Sequence, residues 1–469
     1  MSPIDVDLPT EALETAAEMS AALRAGEVSA VQLLERALAR AERWQDANAF
    51  SQLWAEAALE EARKVDLTPS GSRAPLAGIP SAAKEVYDVA GRETSGCCAA
   101  YRGAVARTDA PTIARVRHAG LVMVGKTNMH EISAGSTNLV SACGPTRNPW
   151  ELERMTGGSS GGSGAAVAAG IVPWALGSDT GGSVRIPAAM CGGFALKPTT
   201  GRLSIRGMLP HSPSLDCPGP MAMTARDTWM LYRAMAGADP LRPLEPAPPG
   251  EVRIAVPGDG FHREHAREDV LGVVDRTASV FRDAGASVER VDGRGIEDAR
   301  RTWSRVAYPE LAEAHPSLLG RDDVDPSILA LLEYGRALDP EVRTAAIRRR
   351  DEIAEWYRAR LDVFDALLVA TTVGPATRAD EYLVEVGPGK SVPEDFVGPG
   401  WLSCAVNLSG LPAVNLPAGS SSEGLPVGVT LIGRDDGEEH LLRLAASWER
   451  ATSYRPVRPG RRREKGAVG

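Results

Sequence analysis

The stretch from Gly157 to Gly192, GGSSGGSGAAVAAGIVPWALGSDTGGSVRIPAAMCG, constrains this chain more than any other feature. Two glycine-serine clusters are separated by a run of small residues and a short apolar run. The small residues Ala165, Ala166, Ala168 and Ala169 predict a closely packed helix over Ser163–Ala169, and Ile171–Leu176 predicts a strand. Gly181 and Gly182 let backbone approach a ligand that a Cβ would exclude. A new helix is expected to begin at Ser183, with Pro187 early enough to be tolerated in its first turn. A serine in that position can have backbone N–H donors and a helix dipole directed at a developing oxyanion.

The surroundings of this stretch have the texture of an α/β core. From Leu76 to Pro220 short apolar runs such as Leu121–Val124 alternate with glycine-rich turns. Upstream, Ser29 and Gln32 form a capping-box pattern, and Val31, Leu34, Leu38 and Ala41 recur at helical spacing, so residues 1–65 read as a helical flank packed on the core. Further strands are expected at Val252–Val256, Leu367–Ala370, Pro412–Leu416 and Val427–Ile432, with mostly helical sequence between Asp269 and Leu361 and a last helix over His440–Arg450. The main domain is expected to span 66–455. Residues 240–250 read as a surface loop or minor boundary, and 456–469 as a basic, disordered tail.

Bulk properties exclude more than they identify. A chain of 469 residues with 43% in the hydrophobic set can bury a large core. The net charge of −9 argues against a broad basic face for nucleic acid. Six cysteines without paired CxxC spacing are read as reduced thiols, and no metal is expected. The acidic N-terminus and the interrupted apolar run Ala165–Leu176 predict neither export nor a membrane span, hence a cytoplasmic protein.

Two other glycine motifs can be spelled in this region. Gly120–Thr127 spells GxxxxGK[ST], but its four variable positions are apolar and read as the strand itself rather than as a phosphate loop. Gly157–Gly161 spells GxSxG, a nucleophile elbow that needs a preceding strand and a histidine base. Glu151–Thr156 is too polar to read as that strand, and neither His130 nor His211 stands out as the base.

Taken together, GGSSGGS, LGSDTGGSVRIPAAMCG and Ala195-Leu196-Lys197-Pro198 resemble the amidase signature family. Gly78-Ile79-Pro80 through Lys84, Gly125–Met129, Gly144–Trp150, Asn407–Ala413 and Gly424–Gly428 are similar to further segments of it, so the resemblance runs from about Leu76 to the last helix. It implies a single α/β/α domain around a large mixed, twisted sheet. It also implies Ser183 as nucleophile, Ser159 as bridging serine after a cis Gly158–Ser159 peptide, and Lys84 as base. Backbone groups of Thr180, Gly181, Gly182 and Ser183 would form the oxyanion hole, and Met129, Gly135 and Ser136 would line the acyl pocket. Such a lysine must be buried to be neutral, and no cofactor is needed.

The implied activity is hydrolysis of a small or aryl carboxamide through an acyl-enzyme. The alternatives are the glutamine-hydrolysing subunit of a tRNA-dependent amidotransferase, which GPTRNPW and GGSSGGS also resemble, a urea-type carboxamide hydrolase, and a silent binding protein. The expected partner is a small-molecule amide, with no nucleic acid and no membrane; a homodimer stays open. Glu85, where the family commonly has Asp, and Cys97-Cys98 depart from the pattern without removing a catalytic group.

Overall fold

The computed structural model describes residues 13–380 and 398–460. Its strands in chain order are β1 (Phe50–Leu53), β2 (Pro80–Lys84), β3 (Val122–Thr127), β4 (Arg147–Asn148), β5 (Glu151–Met155), β6 (Trp174–Asp179) and β7 (Phe194–Lys197). They continue as β8 (Cys217–Ala222), β9 (Arg253–Pro257), β10 (Ser287–Val291), β11 (Ala366–Ala370), β12 (Ala413–Ser420) and β13 (Pro426–Ile432). Among the described residues eleven of these form one sheet in the order β1-β3-β2-β6-β8-β7-β12-β13-β11-β9-β10, while β4 and β5 pair separately. The sheet is mixed: β2 runs parallel to β3 and β6, and β9 to β10 and β11, whereas β6–β8, β7–β8, β7–β12, β12–β13 and β11–β13 are antiparallel.

The central strands are buried along their whole length, which is why they read as apolar runs rather than as alternating ones. Helices Pro111–His118, Ala225–Ala236, Glu268–Asp283 and Glu438–Thr452 pack together against one layer of the sheet. Gly161–Ala168 and Arg185–Cys191 pack on each other and on the sheet, and Ala299–Ala314, Pro326–Ala337, Pro340–Leu361 and Cys404–Ser409 form a further group. The result is the expected α/β/α layering around a mixed sheet.

Several expectations are corrected in detail. The flank is not purely helical: the Ser29–Gln32 capping box does open a helix, Ala30–Arg43, but residues 50–53 form the edge strand β1, antiparallel to β3. Two carboxylates fasten the flank: the buried Asp227 accepts from the N–H groups of Ala16 and Ala17 at 2.9 and 3.0 Å, and the half-buried Asp66 from Ala30 and Val31 at 2.7 and 3.1 Å. Glu151–Met155 is a strand after all, because only Met155 needs to be buried in a two-stranded ribbon at the surface. Ser287–Val291 adds an edge strand to the stretch read as helical. As expected, by contrast, residues 122–127 are strand rather than a phosphate loop, and Lys126 points into the protein, bonding Thr94 Oγ1 at 2.9 Å and the Glu93 carbonyl. The start of the expected tail is docked: Arg458 donates to the Val167 carbonyl at 2.7 Å and to the Glu14 carbonyl at 2.9 Å. Arg461, Arg462 and Arg463 lie outside the described residues.

Candidate active site

The parallel pairing of β2 with β6, in register at Ala83 and Leu176, sets the carboxyl ends of both strands side by side. Ligands in open α/β sheets gather at that edge. Lys84 is the last residue of β2, and Ser178 and Asp179 end β6. Lys84 is fully buried and donates from Nζ to Ser159 Oγ at 2.7 Å and to Ser178 Oγ at 2.7 Å. Burial brings its ammonium down to about 7, against the opposing pull of the Asp216 and Asp179 carboxylates.

Ser159 follows a cis Gly158–Ser159 peptide and precedes the helix Gly161–Ala168. Its position is fixed from two sides. Its carbonyl accepts from His130 N at 3.0 Å, and the Gly158 N–H donates to the Ser136 carbonyl at 2.8 Å. The Ser160 N–H then donates to the Ser183 carbonyl at 3.1 Å and ties the two glycine-serine clusters together. Ser183 lies two residues before the helix Arg185–Cys191, is 8% exposed, and its hydroxyl makes no hydrogen bond to a described residue.

The second cluster is held by a buried ion pair. Asp179 meets Arg185 at 3.0 Å, accepts from Asn407 Nδ2 at 2.9 Å, and receives the Gly182 N–H at 2.8 Å. Burial opposes ionisation of this carboxyl, yet Arg185 and Asn407 hold it at about 2. One consequence concerns the expected oxyanion donors. Gly182 N–H is already engaged, whereas those of Thr180, Gly181 and Ser183 make no hydrogen bond to a described residue. Both glycines are sterically required. A Cβ on Gly181 would sit 2.8 Å from the Trp303 ring, and one on Gly182, where φ is +113°, would sit 2.4 Å from Ser403 Cβ.

The segment expected to line the acyl pocket holds a short 3-10 turn, Glu131–Ser133, with flanking loop. Met129 is fully buried, Gly135 and Ser136 are half-buried, and Gly135 packs on His130, whose ring would lie 2.1 Å from an added Cβ. Neither histidine weighed as an elbow base bonds Ser159 or Ser183 through its ring: His130 Nδ1 accepts from Asn138 N at 3.2 Å, and His211 lies beside Trp303. Sequence reasoning missed Ser178, although it stands in the same LGSDTGGS motif as Ser183. It also missed Asp216, which receives the Thr180 hydroxyl and the N–H groups of His211 and Ser212 at 2.9 and 3.2 Å and which burial raises to about 6. Trp303, which donates to the Thr180 carbonyl at 2.9 Å, sits in a charged helix with no local signal of its role.

Ser178 yields a testable consequence. Removing one of two hydroxyls that accept from Lys84 withdraws a stabilising contact that favours the ammonium. Ser178→Ala is expected to cut kcat roughly tenfold to a hundredfold and to move the acidic limb of the rate profile to lower pH. An unchanged profile across pH 5–9 would assign Ser178 to packing alone.

A buried lysine held at about 7 and hydrogen-bonded to Ser159 and Ser178, close to a loop in which Ser183 and the N–H groups of Thr180, Gly181 and Ser183 are unengaged among the described residues, is an arrangement suited to serine chemistry with an amine base in place of histidine. The chain belongs to the amidase family, whose profile matches residues 32–442. It is accordingly an amidase-signature enzyme that hydrolyses carbon–nitrogen amide bonds through serine chemistry. The chain is 36% identical over 477 residues to the glutamyl-tRNA(Gln) amidotransferase A-subunit of Deinococcus radiodurans, covering 93% of this chain and 97% of that protein. A crystal structure of an amidase superposes with a TM-score of 0.83 at 32% identity, over 93% of this chain and 99% of the other. The glutamyl-tRNA(Gln) amidotransferase A-subunit of Thermotoga maritima superposes with a TM-score of 0.77 at 29% identity, over 95% and 96%.

These relatives correct one expectation. The net charge predicts a protein with no nucleic-acid connection, but the similar proteins belong to an amidotransferase named for glutamyl-tRNA(Gln). Summed charge excludes only a broad basic face and says nothing of a partner met as part of an assembly. On membranes, no helix among the described residues is long and apolar enough to cross one.

Proposed function

We propose that the chain is the glutamine-hydrolysing subunit of a tRNA-dependent amidotransferase, acting in the cytoplasm. The observation that carries this reading is the near end-to-end match to amidotransferase A-subunits, at 36% identity over 93% of this chain and 97% of the relative. In this reading Ser183 Oγ attacks the side-chain carboxamide carbon. Ser159 passes its proton to neutral Lys84, across the 2.7 Å contact already made. The tetrahedral oxyanion draws on N–H groups of Thr180, Gly181 and Ser183, with Gly182 serving instead to orient the loop on Asp179. Collapse returns the proton to the departing ammonia, and water then hydrolyses the acyl-Ser183 ester. Met129, Gly135 and Ser136 form part of the acyl pocket. Residues 1–65 are a flank, 66–455 carry the catalytic domain, and the tRNA is a partner of the assembly.

The test is ammonia release from glutamine by the purified chain alone and again with the remaining subunits and glutamyl-tRNA(Gln). Release that rises by orders of magnitude in the assembly supports the proposal. A second reading, an amidase that acts alone, is favoured by the better superposition on an amidase than on the amidotransferase protein, with TM-scores of 0.83 and 0.77. Rapid turnover of simple aliphatic or aryl amides by the isolated chain, with glutamine ignored, would establish that reading instead.

A further inference from the structure

Next to the reaction centre lies a histidine that the relay does not use. His211 is 2% exposed, and neither of its ring nitrogens completes a hydrogen bond within the described structure. A buried imidazole normally finds partners, because burial strips its polar atoms of their bonds to water. His211 is nevertheless held firmly. Its ring stacks on Trp303 at 6.0 Å between centroids and 21° between planes, and its backbone N–H is fixed on Asp216 at 2.9 Å. The same Trp303 donates to the Thr180 carbonyl and closes over Gly181. The same Asp216 receives the Thr180 hydroxyl. His211 is therefore tied to the Thr180–Ser183 loop through Trp303 at its ring and through Asp216 at its backbone, with no full-geometry hydrogen bond at either ring nitrogen.

The electrostatic setting says what those atoms can take. Burial, with His315, Lys84 and His130 nearby, lowers the imidazole to about 3, so it is neutral at physiological pH, while the carbonyl of Ile132 favours a proton on one nitrogen. The other nitrogen is then an acceptor. His130 is lowered to about 4 by burial and His315 is lowered too, so neither adds positive charge at neutral pH; the charged groups that remain are Lys84, held at about 7, and the Asp216 carboxylate, which accepts from the His211 backbone N–H at 2.9 Å. A neutral acceptor on a residue whose backbone holds a buried carboxylate matches an N–H donor with positive charge.

We propose that His211, stacked in place by Trp303, is a specificity-determining residue that accepts a hydrogen bond from an ammonium group on the acyl portion of the substrate. The site thereby selects amino-acid amides over plain alkyl amides. This rests on the reading of Ser183 as the centre of amide hydrolysis, and it deepens that reading by naming the feature of the acyl group that is recognised.

The experiment uses matched pairs that differ only in the ammonium: glutamine against glutaramate, and β-alaninamide against propionamide. Each is titrated calorimetrically into the full-length Ser183→Ala protein, where binding is read without turnover. The expected result is roughly tenfold or tighter binding of the ammonium member. That preference should be lost in His211→Phe, which keeps the stack on Trp303, and partly restored in His211→Gln. No preference for the ammonium in either pair overturns the assignment with His211 in place, whatever the variants do. An equal weakening of both members in His211→Phe also overturns it, because that outcome marks a packing role. Discrimination between β-alaninamide and propionamide without binding of glutamine would sustain the role of His211 and instead defeat the glutamine reading.

Discussion

Ser183→Ala is expected to lower amide turnover by about four to six orders of magnitude, to the level left by binding and backbone donors alone. Ser183 ends the loop in which the N–H groups of Thr180, Gly181 and Ser183 make no hydrogen bond to a described residue, and its own hydroxyl is likewise unengaged, whereas that of Thr180 donates to Asp216. Ser159 Oγ is committed to Lys84 at 2.7 Å, and Ser160 Oγ donates to the Ser178 carbonyl at 3.1 Å. The neighbouring thiols are poor substitutes as nucleophiles, since burial raises Cys191 and Cys404 above the usual thiol range. Stability should barely change, because the Ser183 side chain bonds nothing described and the backbone contact of its carbonyl with Ser160 N persists. The checks are initial rates with the best amide found, labelling by a serine-directed fluorophosphonate probe, and thermal unfolding. Retained labelling in Ser183→Ala would move the nucleophile elsewhere, with Ser159 the first to examine.

Legibility followed how local each feature's cause is. The Gly157–Gly192 stretch could be read because its demands are local: glycines where a Cβ meets Trp303 or Ser403, and small residues where Gly164 lies 3.0 Å, at its would-be Cβ, from Pro187. The strand expected at Ile171–Leu176 instead spans Trp174–Asp179. Gly177, Ser178 and Asp179 look like loop, yet they are buried because Tyr87 and Lys84 satisfy the first two from distant positions and Arg185 the third from the helix that follows. Strands β5 and β10 were illegible for the opposite reason: at an edge or in a ribbon most side chains face water, and no apolar run is required. Trp303 and His211 reach the site through tertiary packing alone. Their local sequence carries no period, motif or turn that would announce them.

Lys84→Met should abolish activity while making the protein more stable, and the two effects have one cause. Burial lowers the ammonium from an ordinary 10.5 to about 7, which means the fold disfavours the charged form by on the order of 5 kcal/mol. Between pH 7 and 10.5 the unfolded chain binds the proton that the folded chain has released, so stability rises with pH across that window. Below pH 7 both states are protonated and the full destabilisation applies; above 10.5 both are neutral and it vanishes. Methionine of similar length removes this term at the cost of the hydrogen bonds to Ser159 and Ser178, each of which contributes about 1 kcal/mol. The variant should therefore gain a few kcal/mol at pH 7, and its advantage should shrink as the pH is raised towards 10. Denaturant titrations of both proteins at pH 6, 7, 8.5 and 10 measure that closing gap. In the unmutated enzyme the same amine must be neutral to accept the relay proton, so kcat/KM should fall tenfold per unit as pH drops below about 7 and level off above it. A flat rate profile from pH 5 to 9 would separate Lys84 from the proton relay, and a loss of stability in Lys84→Met would show the lysine to be held charged.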